Sequence, residues 1–129
     1  MWEYDKAAFA QRLKILRKNS GMTQQVLAQA LGVERSTYAY YETGKTSPDP
    51  AMLCRLAAAF RLSVDRLLGN ELPTVTQLHD NSLVLEDEEL LRLSNLTPEE
   101  QVLILQYRQL KTEHQKDIRK QIHETLHET

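Results

Sequence analysis

Gln24-Gln25-Val26-Leu27-Ala28-Gln29-Ala30-Leu31-Gly32-Val33-Glu34-Arg35-Ser36-Thr37-Tyr38-Ala39-Tyr40-Tyr41-Glu42-Thr43-Gly44-Lys45 is the stretch that decides how this chain folds. Thr23, just before it, is a good helix N-cap, and Leu27, Ala28 and Leu31 then recur at helical spacing. Gly32 ends that helix with a residue free to adopt positive φ. A second helix begins near Glu34 and runs to Gly44, with Tyr38 and Tyr41 on its inner side. Two helices joined this tightly must cross at a steep angle, and the crossing restricts residue types. A small residue is needed where they touch, here Ala28, and a turn residue tolerant of positive φ, here Gly32. Leu27, Leu31, Val33, Tyr38 and Tyr41 supply the apolar surround. Gln24, Ala28, Gly32, Tyr38 and Tyr41 stand at relative positions 1, 5, 9, 15 and 18, a five-point constraint that chance seldom meets.

On either side the chain continues as short helices. Phe9, Leu13 and Leu16 form one apolar face of a first helix, with Asp5 as its N-cap and Gly21 at its end. Asp49-Pro50 starts a fourth, since proline at the first helical position sacrifices no hydrogen bond, and Leu53, Leu56, Ala57 and Phe60 follow in register. Ser63 caps a fifth that buries Val64, Leu67 and Leu68. Residues 1–69 therefore form one domain, 70–83 a linker, and 84–129 a helical oligomerisation segment. Glu86 to Leu93 reads as a short helix, its Glu86-Asp87-Glu88-Glu89 run suiting the helix dipole. Thr97-Pro98-Glu99-Glu100 combines N-cap, proline and capping-box glutamate. Behind it Leu103, Tyr107, Leu110, His114, Ile118, Ile122 and Leu126 form one narrow stripe, on a single helix or on two joined near Thr112. Such a stripe packs on a partner helix or folds back on its own domain; the first reading makes it a dimerisation element. The fold class is all-α.

Composition is that of a globular chain, 41% hydrophobic and 26% charged, with no run of about 18 apolar residues to cross a membrane. The N-terminus lacks the basic-then-apolar order of a signal peptide, and with the other bulk features this fits an expected cytoplasmic location. A lone Cys54 excludes an internal disulfide, and its apolar neighbours predict a buried, inert thiol. The net charge of −2 conceals an asymmetry. Residues 1–70 hold ten Lys/Arg and six Asp/Glu, or +4, whereas 71–129 hold six and twelve, or −6. A basic first half suits a polyanion.

Residues 5–69 resemble the Cro/repressor-type, or XRE, family of helix-turn-helix transcriptional regulators. Met22 to Ala28 is similar to that family's second helix, Glu34 to Lys45 to its recognition helix, and Leu62 to Leu68 to its fifth. The resemblance implies a five-helix, lambda repressor-like DNA-binding domain and a double-stranded DNA operator. Arg35, Ser36, Thr37 and Tyr40 fall where bases are read, Arg35 being able to donate twice to guanine. Gln24 and Lys45 fall where phosphates are held. Arg17 and Glu42 match positions that pair in relatives and orient the reading head, which Ala28 and Gly32 also support. Glu34 stands where a small polar residue is common. Tyr38 stands where Ile or Val is usual, so its hydroxyl needs a partner or an exit to solvent.

Leu103, Tyr107, Leu110, Ile118, Ile122 and Leu126 are the expected dimer contacts, giving a dimeric repressor on a near-palindromic operator. An autorepressing antitoxin whose C-terminal helix grips a partner protein is the alternative among binding proteins. His123-Glu124-Thr125-Leu126-His127 spells the H-E-x-x-H of zinc metallopeptidases. A catalytic zinc needs a third protein ligand, and only Glu128 and Thr129 follow, so the stretch reads as a solvated helix end. His114 reads as an interface residue. No enzyme, cofactor or metal is expected.

Overall fold

Seven helices follow one another among the described residues, 2–70, 93 and 95–128, of the computed structural model: α1 (Lys6–Asn19), α2 (Gln24–Leu31), α3 (Arg35–Thr43), α4 (Pro50–Phe60), α5 (Val64–Leu68), α6 (Pro98–Gln109) and α7 (Thr112–Leu126). The fold is all-α, and its helix ends lie where the punctuation residues put them. Asp5 accepts from Ala7 and Ala8, Thr23 from Val26, Asp49 from Met52 and Ser63 from Arg66. Thr97 and Glu100 form the complete reciprocal box at the start of α6. The linker and the short acidic helix expected before α6 fall, apart from Asn70 and Leu93, outside the described residues.

The core gathers Phe9 and Leu13 from α1, Leu27, Ala28 and Leu31 from α2, Tyr38 and Tyr41 from α3, Leu56, Ala57 and Phe60 from α4, and Leu67 from α5. Leu93, Val102 and Leu105 belong to the same core, with Leu105 fully buried. Helix α6 therefore packs across α2 and α4, and the folded unit extends past residue 69. For α6 the arrangement is the fold-back on its own domain that the sequence leaves open.

The docking is polar as well as apolar. The last carbonyls of a helix accept no hydrogen bond from within it and need outside donors. Gln109 Nε2 donates to Ala30 O of α2 at 3.1 Å, and Arg108 Nη1 donates to Ala59 O of α4 at 2.9 Å. Buried Gln101 donates to Leu93 O at 2.9 Å, and Arg55 Nε reaches Gln109 Oε1 at 2.9 Å. Helix α6 thus closes the carboxyl ends of two core helices while filling the space between them.

The face it uses is not the predicted stripe. Leu103 is 62% exposed, Leu110 is exposed, and Tyr107 is half-buried. The stripe is the outward side of α6, opposite Val102 and Leu105. A break at Leu110-Lys111, spanned by a hydrogen bond from Gln115 Nε2 to Tyr107 O at 2.9 Å, separates α6 from α7. So the choice left open between one helix and two is resolved as two. Helix α7 buries none of its residues, and Ile118, Ile122 and Leu126 are exposed on it. Cys54 is exposed, contrary to expectation, because α4 turns Met52, Leu56 and Ala59 inward and leaves position 54 outside.

Truncating a fully buried leucine removes its transfer free energy and leaves a cavity. Leu105→Ala is expected to destabilise the whole folded unit by about 2–5 kcal/mol. Urea denaturation followed by circular dichroism checks this; an unchanged midpoint would mean that α6 is not part of the cooperative core.

Candidate nucleic-acid interface

Helix α3 divides cleanly along its length. Tyr38, Tyr41 and Glu42 are buried, whereas Arg35, Ser36, Thr37 and Tyr40 are exposed together on the other side. The turn before it needs Gly32, whose φ of +75° lies in the left-handed region that an L side chain rarely enters. Its amide closes α2 on Ala28 O and Gln29 O, and Ala28 itself is fully buried at the crossing. Glu34 caps α3 with extended backbone and no side-chain hydrogen bond, so its carboxylate is not occupied locally.

Behind the exposed face lies a buried ion pair. Arg17 donates from Nε to Glu42 Oε2 at 2.6 Å and from Nη2 to Glu42 Oε1 at 3.0 Å, a two-point fork. Its remaining nitrogen, Nη1, donates to Met22 O at 2.9 Å, and Gln24 Nε2 donates to Glu42 Oε1 at 3.0 Å. One guanidinium thus joins α1, the entry to α2 and the end of α3. Burial alone pushes the Glu42 carboxyl up, but Arg17, the neighbouring Tyr38 hydroxyl and Gln24 together hold it below its ordinary value. The bond to Glu42 raises Arg17 against its own burial.

Tyr38 meets neither condition set by its hydroxyl. The residue is fully buried, and the oxygen has no partner in hydrogen-bonding geometry. Its ring meets Tyr41 edge-on, with centroids 6.1 Å apart. Burial, then Glu42, raises its pKa far above the usual phenol value, so it stays neutral.

At the far end of α3, Gly44 turns the chain at φ +78°. Lys45 Nζ then lies 4.3 Å from the centroid of the Tyr40 ring, a cation–π contact. Tyr40, read as base-contacting, and Lys45, read as phosphate-contacting, therefore share a surface. Gln24 is different: it is partly buried, and its side-chain amide is committed to Glu42. Lys6, at the start of α1, lies against Lys45 O, and Tyr4, just before it, against Ser47 Oγ; no periodicity marks either residue.

His123 and His127 lie at the end of α7 with ring centroids 4.3 Å apart. Among the described residues, no group of three or more His, Cys, Asp or Glu is placed to hold a metal ion. His114 is exposed, with Nε2 3.9 Å from Glu113 Oε1. Among the described residues no helix is long and apolar enough to cross a membrane.

Comparison with known proteins agrees with this geometry. A family of helix-turn-helix domains matches residues 8–68. The chain is similar to the SPbeta prophage-derived HTH-type transcriptional regulator YonR of Bacillus subtilis, 36% identical over 106 residues, covering 81% of this chain and 95% of that protein. It is 35% identical over 80 residues to the HTH-type transcriptional regulator YqaE of the same organism, covering 62% of each. To AnsR, a further HTH-type transcriptional regulator of B. subtilis, it is 43% identical over 60 residues, 46% of this chain and 52% of that one. The chain thus spans nearly all of the first relative and less than two thirds of the other two. No solved structure matches.

Breaking a buried ion pair strands the surviving charge, at a cost of roughly 3–5 kcal/mol. Glu42→Gln is expected to destabilise the protein by about that much at neutral pH. Because the folded-state pKa of Glu42 is lowered, its contribution is complete above the unfolded value of 4.5 and is lost as pH falls through the folded value. The stability gap between wild type and Glu42→Gln should therefore narrow below about pH 4.5. Urea midpoints measured from pH 7 to pH 3 check both points, and a gap independent of pH would contradict the assignment.

Proposed function

The chain belongs to the helix-turn-helix transcriptional regulators, a DNA-binding and non-enzymatic family, and from that premise we propose that it is a cytoplasmic, dimeric repressor reading a near-palindromic operator. The observation that carries the reading is the division of α3. Arg35, Ser36, Thr37 and Tyr40 are presented to solvent on one side, while Tyr38, Tyr41 and Glu42 lock the other side into the core. A reading helix has to offer polar side chains to base edges on a support that does not yield. Arg35, at the first position of α3, reaches deepest into the major groove and pairs with guanine O6 and N7. Ser36, Thr37 and Tyr40 read the adjoining bases.

Dimerisation is supported by the two outward apolar runs, Leu103 and Tyr107 of α6 with Leu110 just past its end, and Ile118-Ile122-Leu126 on α7. A single small domain makes few phosphate contacts, and coupling two makes the second contact intramolecular. The two recognition helices then lie ~34 Å apart, one duplex turn. Repression follows by occlusion of a promoter overlapping the operator. Lys45 holds a phosphate at the end of α3, and the free backbone at the start of α2, beside Gln24, supplies a second anchor.

Light scattering on the full chain should give a dimer mass. Ile122→Asp, at an exposed position, should give a monomer of unchanged helix content. In binding selections from random duplexes, wild type should enrich two related half-sites. Arg35→Ala should lose about 1–3 kcal/mol of discrimination at one base pair in each half. A monomeric wild type enriching a single half-site would overturn the dimer, and an unselective wild type would overturn the reading by α3.

A further inference from the structure

The N-terminal residues add a binding subsite to this interface. Helix α1 opens beside the loop that leaves α3. A side-chain carbon built on Gly44 would stand in ordinary contact with Ala10 Cβ at 3.8 Å and the Lys6 carbonyl at 3.9 Å, so the two segments are neighbours. Two long-range bonds join them. Lys6 Nζ donates to Lys45 O at 3.2 Å, and the Tyr4 hydroxyl pairs with Ser47 Oγ at 3.1 Å. The Tyr4 ring packs on Phe9, centroids 5.9 Å apart, which ties the segment to the core. Lys45 in turn lies over Tyr40 of the reading face.

We propose that Tyr4, Lys6 and Ser47 join Lys45 in a clamp on one backbone phosphate beside the end of the recognition helix. The proposal rests on the DNA-reading role of α3 given above. The donor inventory fits an anion. An ammonium has three protons, and the Lys45 carbonyl takes one from Lys6, leaving two. Two hydroxyls sharing one hydrogen bond leave one O–H proton free. Two cations and that proton are offered from neighbouring segments, and a tetrahedral phosphate has several oxygens to accept from such donors. Two neighbouring carboxylates are engaged at helix starts. Asp5 accepts from Ala7 and Ala8 at the start of α1, and Asp49 accepts from Met52 at the start of α4. The occupant is duplex DNA because the cluster is continuous, through Lys45 and Tyr40, with the face that reads bases.

A phosphate contact shows in salt dependence, and it does so on any sequence. Removing one such contact lowers the slope of log affinity against log salt by about 0.9. The full-length protein is titrated onto a random-sequence 30-base-pair duplex across a range of salt concentrations. Wild type is compared with Lys6→Gln, with the charge-preserving Lys6→Arg, and with Lys120→Gln on α7. Lys6→Gln should reduce the slope by about 0.9, while Lys6→Arg and Lys120→Gln leave it near the wild-type value. Thermal melts should be unchanged, since Lys6 is exposed. If Lys6→Gln keeps the wild-type slope while wild type binds, the clamp is refuted and the α3 reading stands. If Lys120→Gln lowers the slope equally, the effect is net charge alone and the clamp is again refuted. If wild type fails to bind any duplex, the α3 reading falls and the clamp with it.

Discussion

The fork between Arg17 and Glu42 is the constraint on which the placement of α3 depends. It is buried, and burial of two charges is costly, so the pair is weak evidence for stability in itself. Its value lies in what it connects. The guanidinium directs its three nitrogens to Glu42 twice and to Met22 O once. The carboxylate adds Gln24. Moving α3 relative to α1 or α2 would break these bonds and strand a charged group away from water, so orientation errors are penalised more steeply than apolar surfaces could manage. Apolar surfaces slide; a satisfied buried fork does not.

The unpaired hydroxyl of Tyr38 belongs to the same local balance. An aliphatic side chain at position 38 would fill the crossing without an orphan oxygen. The tyrosine instead sets a large ring against Tyr41 and brings a neutral dipole next to the Arg17–Glu42 pair. Its oxygen helps hold Glu42 ionised by electrostatic proximity, and desolvation of the hydroxyl opposes that gain. A core that accepts one unsatisfied atom here shows how closely packing and charge are coupled behind α3.

Much of the first domain was legible because its signals are local. Asp5, Thr23, Asp49, Ser63 and Thr97 act on amides two or three residues away, and Gly32 and Gly44 act at their own φ. The burial of Arg17 was legible in principle too, since Phe9, Leu13 and Arg17 are spaced by four on one helical face. The docking of α6 was not. Its inward face carries Gln101, Arg108 and Gln109 beside Val102 and Leu105, a mixture that reads as solvent-facing. Those polar groups are inward because the carboxyl ends of α2 and α4 need donors there, and helix ends elsewhere in the chain leave no mark in the local pattern. Leu103, Tyr107 and Leu110, the more hydrophobic face, are the ones left outside. Cys54 misled for a related reason: a thiol among apolar neighbours was assigned by composition, whereas the phase of α4 decides its exposure. Tyr4 and Lys6 carry no periodic signal, because their places beside Ser47 and Lys45 are set by tertiary packing near Gly44.

The docking of α6 bears on how two reading heads could be spaced. If the C-terminal helices were joined to the first domain only through residues 70–93, the separation of two recognition helices would be a chain statistic, and a fixed half-site spacing would have no structural cause. Helix α6 bypasses that route. It grips α2, which crosses α3 at Ala28 and Gly32, through Val102, Leu105 and the Gln109 bond to Ala30 O. A partner helix seated on Leu103, Tyr107 and Leu110 would therefore be separated from the exposed face of α3 by two packed helices and no free chain. The bifacial character of α6, with polar donors and apolar side chains inward and an apolar stripe outward, is what the proposed dimer would require of a rigid link between its contact and α3.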